Sequence, residues 1–391
     1  MQTTLISGGR ILTPFEQLEN REILLGGGGI LQISEPGSHP HPDRRIDADG
    51  AIIAPGFLDV HVQGAGGADV LDASDNALKT IGHTCARFGV TGYLATTVYR
   101  PEGDNTHLEV AATACRSASQ PSGSPEHGAK PLGIHIEGPF IARGKRGMIQ
   151  EDCIAPVDSA TMRRIRKLTG EQLRMLTLAP ELPGALDLIT GLRIQEVIPS
   201  FGHSEADYGQ TLAGIKAGIR HATHLYNAMR TMHHRDPGPI PALLETPGLS
   251  VQLIPDGAHI HPPMLRLALE RLRGDRLVLI SDGMQAMGLP DGRYVYNGLE
   301  YESRDGTARY LDGTLIGTSL GMSQLIARFI EHTGCSLAEA VRAGSYNPAC
   351  VLGLQERKGR VKEGWDADLV ILNQDLSVRM TILEGRCIYE A

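Results

Sequence analysis

Residues 131–139 read PLGIHIEGP, and this stretch decides the fold. It is a short apolar run that stops at a Gly-Pro pair, with His135 and Glu137 two positions apart and so on one side of an extended chain. A carboxylate among apolar neighbours needs a partner or a metal ion. The same design, an apolar strand ending in polar residues, recurs on both sides of it. Before it come GFLDVHVQ (56–63) and TGYLATTV (91–98). After it come RMLTLAPE (174–181), EVIPSFGHS (196–204), HATHLYN (221–227), SVQLIPDG (250–257) and RLVLISDG (276–283). The segments between carry helical periodicity, as in EADYGQTLAGIKAGIR (205–220) and PPMLRLALERLRG (262–274). Strands alternating with helices predict an α/β fold with a parallel sheet, and eight such units over roughly 300 residues predict a (β/α)8 TIM barrel. Polar residues gather at the C-terminal ends of the strands: His61, Gln63, His135, Glu137, Glu181, His203, His224, Asp256 and Asp282. In a barrel that rim carries the catalytic groups.

The two ends of the chain read differently from the middle. TLISGGRILT (4–13), REILLGGGGILQIS (21–34) and RRIDADGAIIAPG (44–56) are short strands joined by turns, and GRVKEGWDADLVILNQDLSVRMTILEGRCIYEA (359–391) continues in the same style. The expected organisation is a barrel over 55–355 and a small β-sandwich domain built from both chain ends, 1–54 plus 356–391. GGGG at 26–29 reads as a hairpin turn. GAGG at 64–67 has no Lys-Ser/Thr and no dinucleotide fingerprint around it, so it is read as a loop whose backbone approaches the site closely.

Composition sets the outer bounds. The chain has 391 residues, 41% hydrophobic and 21% charged, with a mean hydropathy of −0.13. Thirty-seven Lys and Arg against 45 Asp and Glu leave a net charge of −8, which argues against a basic nucleic-acid face. No apolar run approaches the ~20 residues of a membrane helix, and MQTTLISGGRILTP (1–14) lacks the charged and apolar regions of a signal peptide. The six cysteines form no CxxC pair and read as free thiols in a reducing, cytoplasmic setting.

The chemistry rests on a coincidence of strand ends. Glu137 closes strand three, His203 strand five, His221 or His224 strand six, and Asp282 strand eight. His221 and His224 are three apart, so in a strand only one of them faces the interior. One carboxylate and two imidazoles suit zinc, iron or a similar divalent ion with a coordination position left for water, and a nearby aspartate can then move protons. Each residue alone is weak evidence, since a single strand histidine is more often a hydrogen-bonded core residue. That plainer reading is taken for His83, His107, His127 and His332, and for His39 and His41 in a Pro-rich surface turn.

These residues bring a family into view. APGFLDVHVQGAGG (54–67), GIHIEGPFI (133–141), LAPE (178–181), GHSEADY (202–208), ATHLYNAM (222–229), PDGAHIHP (255–262), SDGMQAMGLPDG (281–292) and DGTLIGTSLGM (312–322), with the ending GRVKEGWDADLVIL, resemble the N-acetylglucosamine-6-phosphate deacetylase family of the amidohydrolase superfamily. The resemblance runs in order from about residue 5 to 388. It implies a metal-dependent deacetylase that releases acetate from a phosphorylated amino sugar. It implies Glu137, His203 and His224 as metal ligands and Asp282 as the catalytic aspartate. Asn227, the backbone at Ala228, and His259 match substrate contacts. Arg235, in HRDPG (234–238), matches a phosphate-binding arginine supplied across a homodimer interface, a role that suits a guanidinium fork.

Two departures from the family pattern bear on the reading. Strand one carries His61-Val62-Gln63 where many amidohydrolases have His-x-His, and strand four lacks a bridging lysine. One divalent ion per subunit, zinc or iron, is therefore expected, with His61 and Gln63 contacting water, substrate or a second ion. The loop after strand three reads GKRGMIQEDC (144–153), placing Met148 where the family usually has a histidine that reaches the substrate. A thioether cannot take over that role, so Gln150 or His135 is the expected substitute, with His135 also a candidate oxyanion group. The same departure keeps open an alternative substrate, N-acetylgalactosamine 6-phosphate or another N-acyl sugar. A cyclic-amide hydrolase is disfavoured by the missing His-x-His and lysine. A non-catalytic scaffold has no use for two imidazoles and an aspartate at one rim.

Overall fold

The structure, a computed structural model, describes residues 2–119 and 128–391, and the eight expected strands form one parallel sheet. They run Phe57–Val62, Val90–Thr97, Lys130–Glu137, Leu173–Leu178, Ile198–Phe201, His221–Ala222, Ser250–Leu253 and Leu277–Leu279, paired in chain order. A parallel bridge between Val62 and Gly283 joins the last strand to the first and closes the barrel. A helix follows each strand: Asp75–Arg87, Thr106–Ala118, Ser159–Thr169, Ala185–Ile194, Tyr208–Ala217, Ile240–Glu245, Pro262–Arg271 and Met322–Thr333. Several start on side-chain caps that satisfy their first N–H groups, Ser74, Asp158 and Asp207 among them. Strands one and two are buried at every position, as expected where helices cover one face and the barrel interior the other.

Val60, Leu94, Met175, Ile254, Val278 and Ile280 pack together and fill the barrel below the rim. The register between strands one and two slips here, Tyr93 pairing with Asp59 and Ala95 with Val62. The extra residue is a bulge, and it turns both Val60 and His61 inward. It re-aims a side chain beside the site.

Two further sheets are built from the chain ends, the second of them from both. One orders Gly29–Ser34, Glu22–Gly26, Thr3–Ser7 and Arg44–Asp47. In the other, Ile52–Pro55 pairs in parallel with Arg10–Leu12 and antiparallel with Leu369–Leu372. Ile6, Ile23, Ile53, Leu369 and Ile382 belong to one apolar core between them, separate from that of the barrel. Gly27 and Gly28 make the expected hairpin turn, at φ 60° and 86°. The glycines at 64–67 form a two-residue hairpin of their own, with Gly64–Ala65 pairing to Ala68–Asp69.

One element was not expected. Between strand eight and its helix lies a four-stranded antiparallel sheet, Gly292–Tyr296, Leu299–Arg304, Thr307–Tyr310 and Leu315–Thr318. Its core residues Tyr296, Tyr301, Ala308 and Ile316 pack with Met148 and Met284, so this sheet holds the loop after strand three in place. All six cysteines are free. His107 is buried and its Nε2 lies 2.9 Å from the Val98 carbonyl, a structural role, while the reading of His127 lies outside the described residues. No helix among the described residues is long and apolar enough to cross a membrane.

Candidate metal centre and active site

Glu137, His203 and His224 converge. Glu137 Oε1 lies 3.0 Å from His203 Nε2 and 2.9 Å from His224 Nε2, and the two nitrogens are 3.1 Å apart. Ligand bonds of ~2.0–2.1 Å in a tetrahedron put neighbouring donor atoms about 3.3 Å apart, so one divalent ion fits this triangle with little adjustment. All three side chains are buried. His203 is aimed by its other nitrogen, whose Nδ1–H donates to the Lys145 carbonyl at 2.7 Å. The Ala142 N–H in turn donates to the His203 carbonyl, clasping the loop after strand three against this histidine. His224 Nδ1 is buried with no hydrogen-bond partner among the described residues.

Asp282 stands beside the triangle. Its Oδ1 is 3.3 Å from His61 Nε2 and accepts from Gln63 Nε2 at 3.4 Å. The Gln63 amide also reaches Glu137 Oε2 at 3.5 Å and the Met148 sulfur at 4.0 Å. His61 Nε2 is 3.6 Å from Glu137 Oε2. Burial opposes a charge on His61, but the carboxylates of Glu137 and Asp282 outweigh it and lift the imidazole to about 9. Burial alone would raise Glu137; the His61 charge and the histidine hydrogen bonds prevail and hold it well below the usual carboxylate range. Burial lowers His224.

His203, His224 and Asp282 share a backbone feature, with φ of 50°, 27° and 49°. Left-handed backbone is uncommon for residues other than glycine, and the three stand two or three residues beyond their strands where the chain turns across the rim. The turn at His224 corrects one sequence expectation. Strand six ends at Ala222, so strict alternation stops there and both His221 and His224 reach the interior.

The remaining expectations divide. His135 is not at the surface of the site: it is fully buried, with Nε2 2.7 Å from Thr177 Oγ1 and Nδ1 3.4 Å from Thr96 Oγ1. Both nitrogens are engaged one layer below Glu137, which removes it as a substrate contact or oxyanion group. Gln150 is also engaged elsewhere, on the Asn297 carbonyl. Met148 is buried against Gln63. Asn227 is half-buried and its amide donates back to the Leu225 carbonyl at 3.2 Å, while the Ala228 carbonyl accepts from the Ser204 N–H. His259 Nδ1 lies 2.6 Å from Asp256 Oδ2, so that rim aspartate orients the histidine. Glu181 is structural, accepting from Ser204 and the Glu205 N–H. Arg235 is exposed and donates to His234, and its neighbour Asp236 pairs with Arg230. Sequence reasoning missed Gln252, which touches His61, and the sheet over 292–318.

A barrel rim with one carboxylate, two imidazoles and an adjacent aspartate defines a metal-dependent hydrolase. The model of the amidohydrolase family matches residues 52–388, and the chain belongs to that family. Over 385 residues it is 36% identical to the N-acetylglucosamine-6-phosphate deacetylase of Bacillus subtilis (strain 168), covering 98% of this chain and 96% of that one. It is 33% identical to the N-acetylgalactosamine-6-phosphate deacetylase of Escherichia coli O157:H7, covering 98% and 99%. Among solved structures, a mutant N-acetyl-D-glucosamine-6-phosphate deacetylase of Mycobacterium smegmatis in complex with N-acetyl-D-glucosamine-6-phosphate superposes with a TM-score of 0.90 at 30% identity, over 99% of this chain and 100% of that one. Within the amidohydrolases the chain is a member of the N-acetylglucosamine-6-phosphate deacetylase family.

Proposed function

We propose that this protein hydrolyses the acetamido group of N-acetylglucosamine 6-phosphate, releasing acetate and glucosamine 6-phosphate. The observation that carries the reading is the meeting of Glu137, His203, His224 and Asp282 at one barrel rim, in a chain that matches such deacetylases over nearly its whole length. Glu137, His203 and His224 would hold one zinc or iron ion, and the loss of His-x-His at His61-Val62-Gln63 argues against a tightly held second one. A divalent ion there acidifies water and polarises a carbonyl.

The chain's own residues supply the rest. Asp282 accepts a proton from the attacking water as it adds to the acetamido carbon, with Gln63 and His61 holding the carboxylate toward the site. Gln63 Nε2 lies within 3.5 Å of both carboxylates and steadies the water or the carbonyl oxygen. Protonated Asp282 then passes its proton to the sugar nitrogen as the C–N bond breaks. Asn227, the Ala228 backbone and His259 hold the sugar. Arg235, exposed and without a carboxylate partner among the described residues, takes the 6-phosphate of the neighbouring subunit in a cytoplasmic homodimer.

A second reading, the galacto epimer, is favoured by Met148 beside Gln63 and by the Escherichia coli relative. Acetate release from metal-replete protein, with both epimers and the unphosphorylated sugar side by side, tests the proposal. Turnover that requires the 6-phosphate and prefers the gluco epimer is the expected result. A galacto preference selects the second reading, and silence on all three removes both.

A further inference from the structure

A chain of buried side chains runs beneath the site, and the reaction just described does not use it. Gln252, on strand seven, is fully buried. Its Oε1 lies 3.2 Å from His61 Nδ1 and 3.3 Å from the His224 backbone N. Its Nε2 lies 3.0 Å from His221 Nε2 and 3.8 Å from the Met175 sulfur. His221 Nδ1 is 2.7 Å from Ser250 Oγ, which reaches the Arg220 carbonyl at 3.2 Å. His221, Ser250 and Arg220 line a cavity of about 470 Å³ outside the N-terminal ends of the strands.

The donors and acceptors of this chain fall in one order only. The Arg220 carbonyl can only accept, so the Ser250 hydroxyl donates to it and takes the Nδ1–H of His221. Burial pushes His221 down to about 3, so it is neutral and its Nε2 is a bare acceptor. That nitrogen takes a hydrogen from the Gln252 amide. At the other end of the amide the His224 backbone N–H can only donate, so it must meet the oxygen. Both ends therefore agree on which way the Gln252 amide faces. Its oxygen then accepts from His61, whose Nδ1 must carry a proton, and only Nε2 is left facing Asp282 Oδ1 and Glu137 Oε2.

We infer that Gln252 and His221 are positioning residues that fix the Nδ1 proton of His61 and so present its Nε2 edge to the two carboxylates. For its effect on turnover the inference rests on the proposed role of Asp282; the proton placement itself does not. Partners one shell removed from a metal site typically change activity 10–100-fold when lost.

The test uses 15N-histidine-labelled, zinc-loaded full-length protein. A slowly exchanging imidazole N–H resonance, assigned to His61 by its loss in His61→Asn, is expected in the parent protein and absent in Gln252→Met. Gln252→Glu, which keeps the acceptor towards His61, restores it. Acetate release should follow: Gln252→Met lowers kcat roughly 10–100-fold with KM within about twofold and zinc content unchanged, and Gln252→Glu recovers most of the loss. A Gln252→Met protein that retains the His61 resonance and its kcat overturns the inference. So does a Glu variant that fares no better than Met in both readouts, because the glutamine is then only packing. If the parent releases no acetate from any sugar tested, the function proposal fails while the resonance still decides this one.

Discussion

Asp282 occupies a backbone corner that few residue types tolerate, at φ 49°. Asn accepts that conformation as readily as Asp and keeps an oxygen for the Gln63 amide, but it cannot take a proton from water. Asp282→Asn should therefore lower turnover by roughly 10²–10⁴-fold, the usual weight of a positioned acid–base group. Metal content and thermal midpoint should stay as in the parent. Acetate release alongside metal analysis checks it, and near-normal turnover would remove Asp282 from its role. That this residue meets the cluster of Glu137, His203 and His224 at one rim was legible in the sequence, because each stands just where an apolar run stops. Depth was not legible. His135 shares the parity of Glu137 but lies two residues nearer the barrel centre, where threonine hydroxyls consume both its nitrogens. Gln252 was missed because a lone polar residue inside SVQLIPDG carries no signal of which interior groups it will meet.

The helices and strands were legible as a pattern, since alternation between apolar runs and helical periodicity survives bulges and short strands. The inserted sheet was overlooked although its turns were written out: Asn297-Gly298 and Asp305-Gly306 adopt positive φ at both residues, as two-residue hairpins demand. Packing between elements carries its own pH dependence at His107. Burial on the helix Thr106–Ala118 lowers this histidine to about 4, with the Val98 carbonyl as its partner. The folded pKa is thus below the unfolded value near 6.5. The neutral side chain contributes fully above about pH 6.5, and the contribution fades as pH falls through about 4 because the unfolded chain takes up the proton first. The span corresponds to roughly 3 kcal/mol at most. Urea unfolding of the parent and His107→Gln between pH 7 and 4.5 should show a stability difference that shrinks with acid. Parallel curves would place the lowered pKa elsewhere.

At the scale of the molecule, the segment that leads into the strand Leu369–Leu372 carries a buried cation. Lys358 Nζ contacts Asp368 and lies 3.0 Å from Asp366, with Asp368 only 4% exposed. Lys358→Met leaves that carboxylate without its counter-charge, and removing one partner of a buried pair costs about 3–5 kcal/mol. A lower thermal midpoint with normal metal content is expected; an unchanged midpoint would mean water already screens the pair. The metal site ties the molecule together in a different way. Glu137, His203 and His224 come from strands three, five and six, and His203 is also bound to the Lys145 carbonyl in the loop after strand three. An ion held by these three residues would fix the His203 ring and with it the Nδ1–H donor that anchors Arg143–Lys145. Removing the ion would take away the point that the three side chains share, and relaxation of His203 would release the loop. Bound metal also stabilises the native state by mass action. The loop sequence RGKR at 143–146 offers trypsin three basic residues, of which Arg143 and Arg146 are exposed. Chelated protein should therefore be cut within 143–146 several-fold faster than metal-loaded protein, and readdition of one equivalent of zinc should restore resistance. Equal cutting rates would show that the loop is held by the inserted sheet through Met148, independently of the ion.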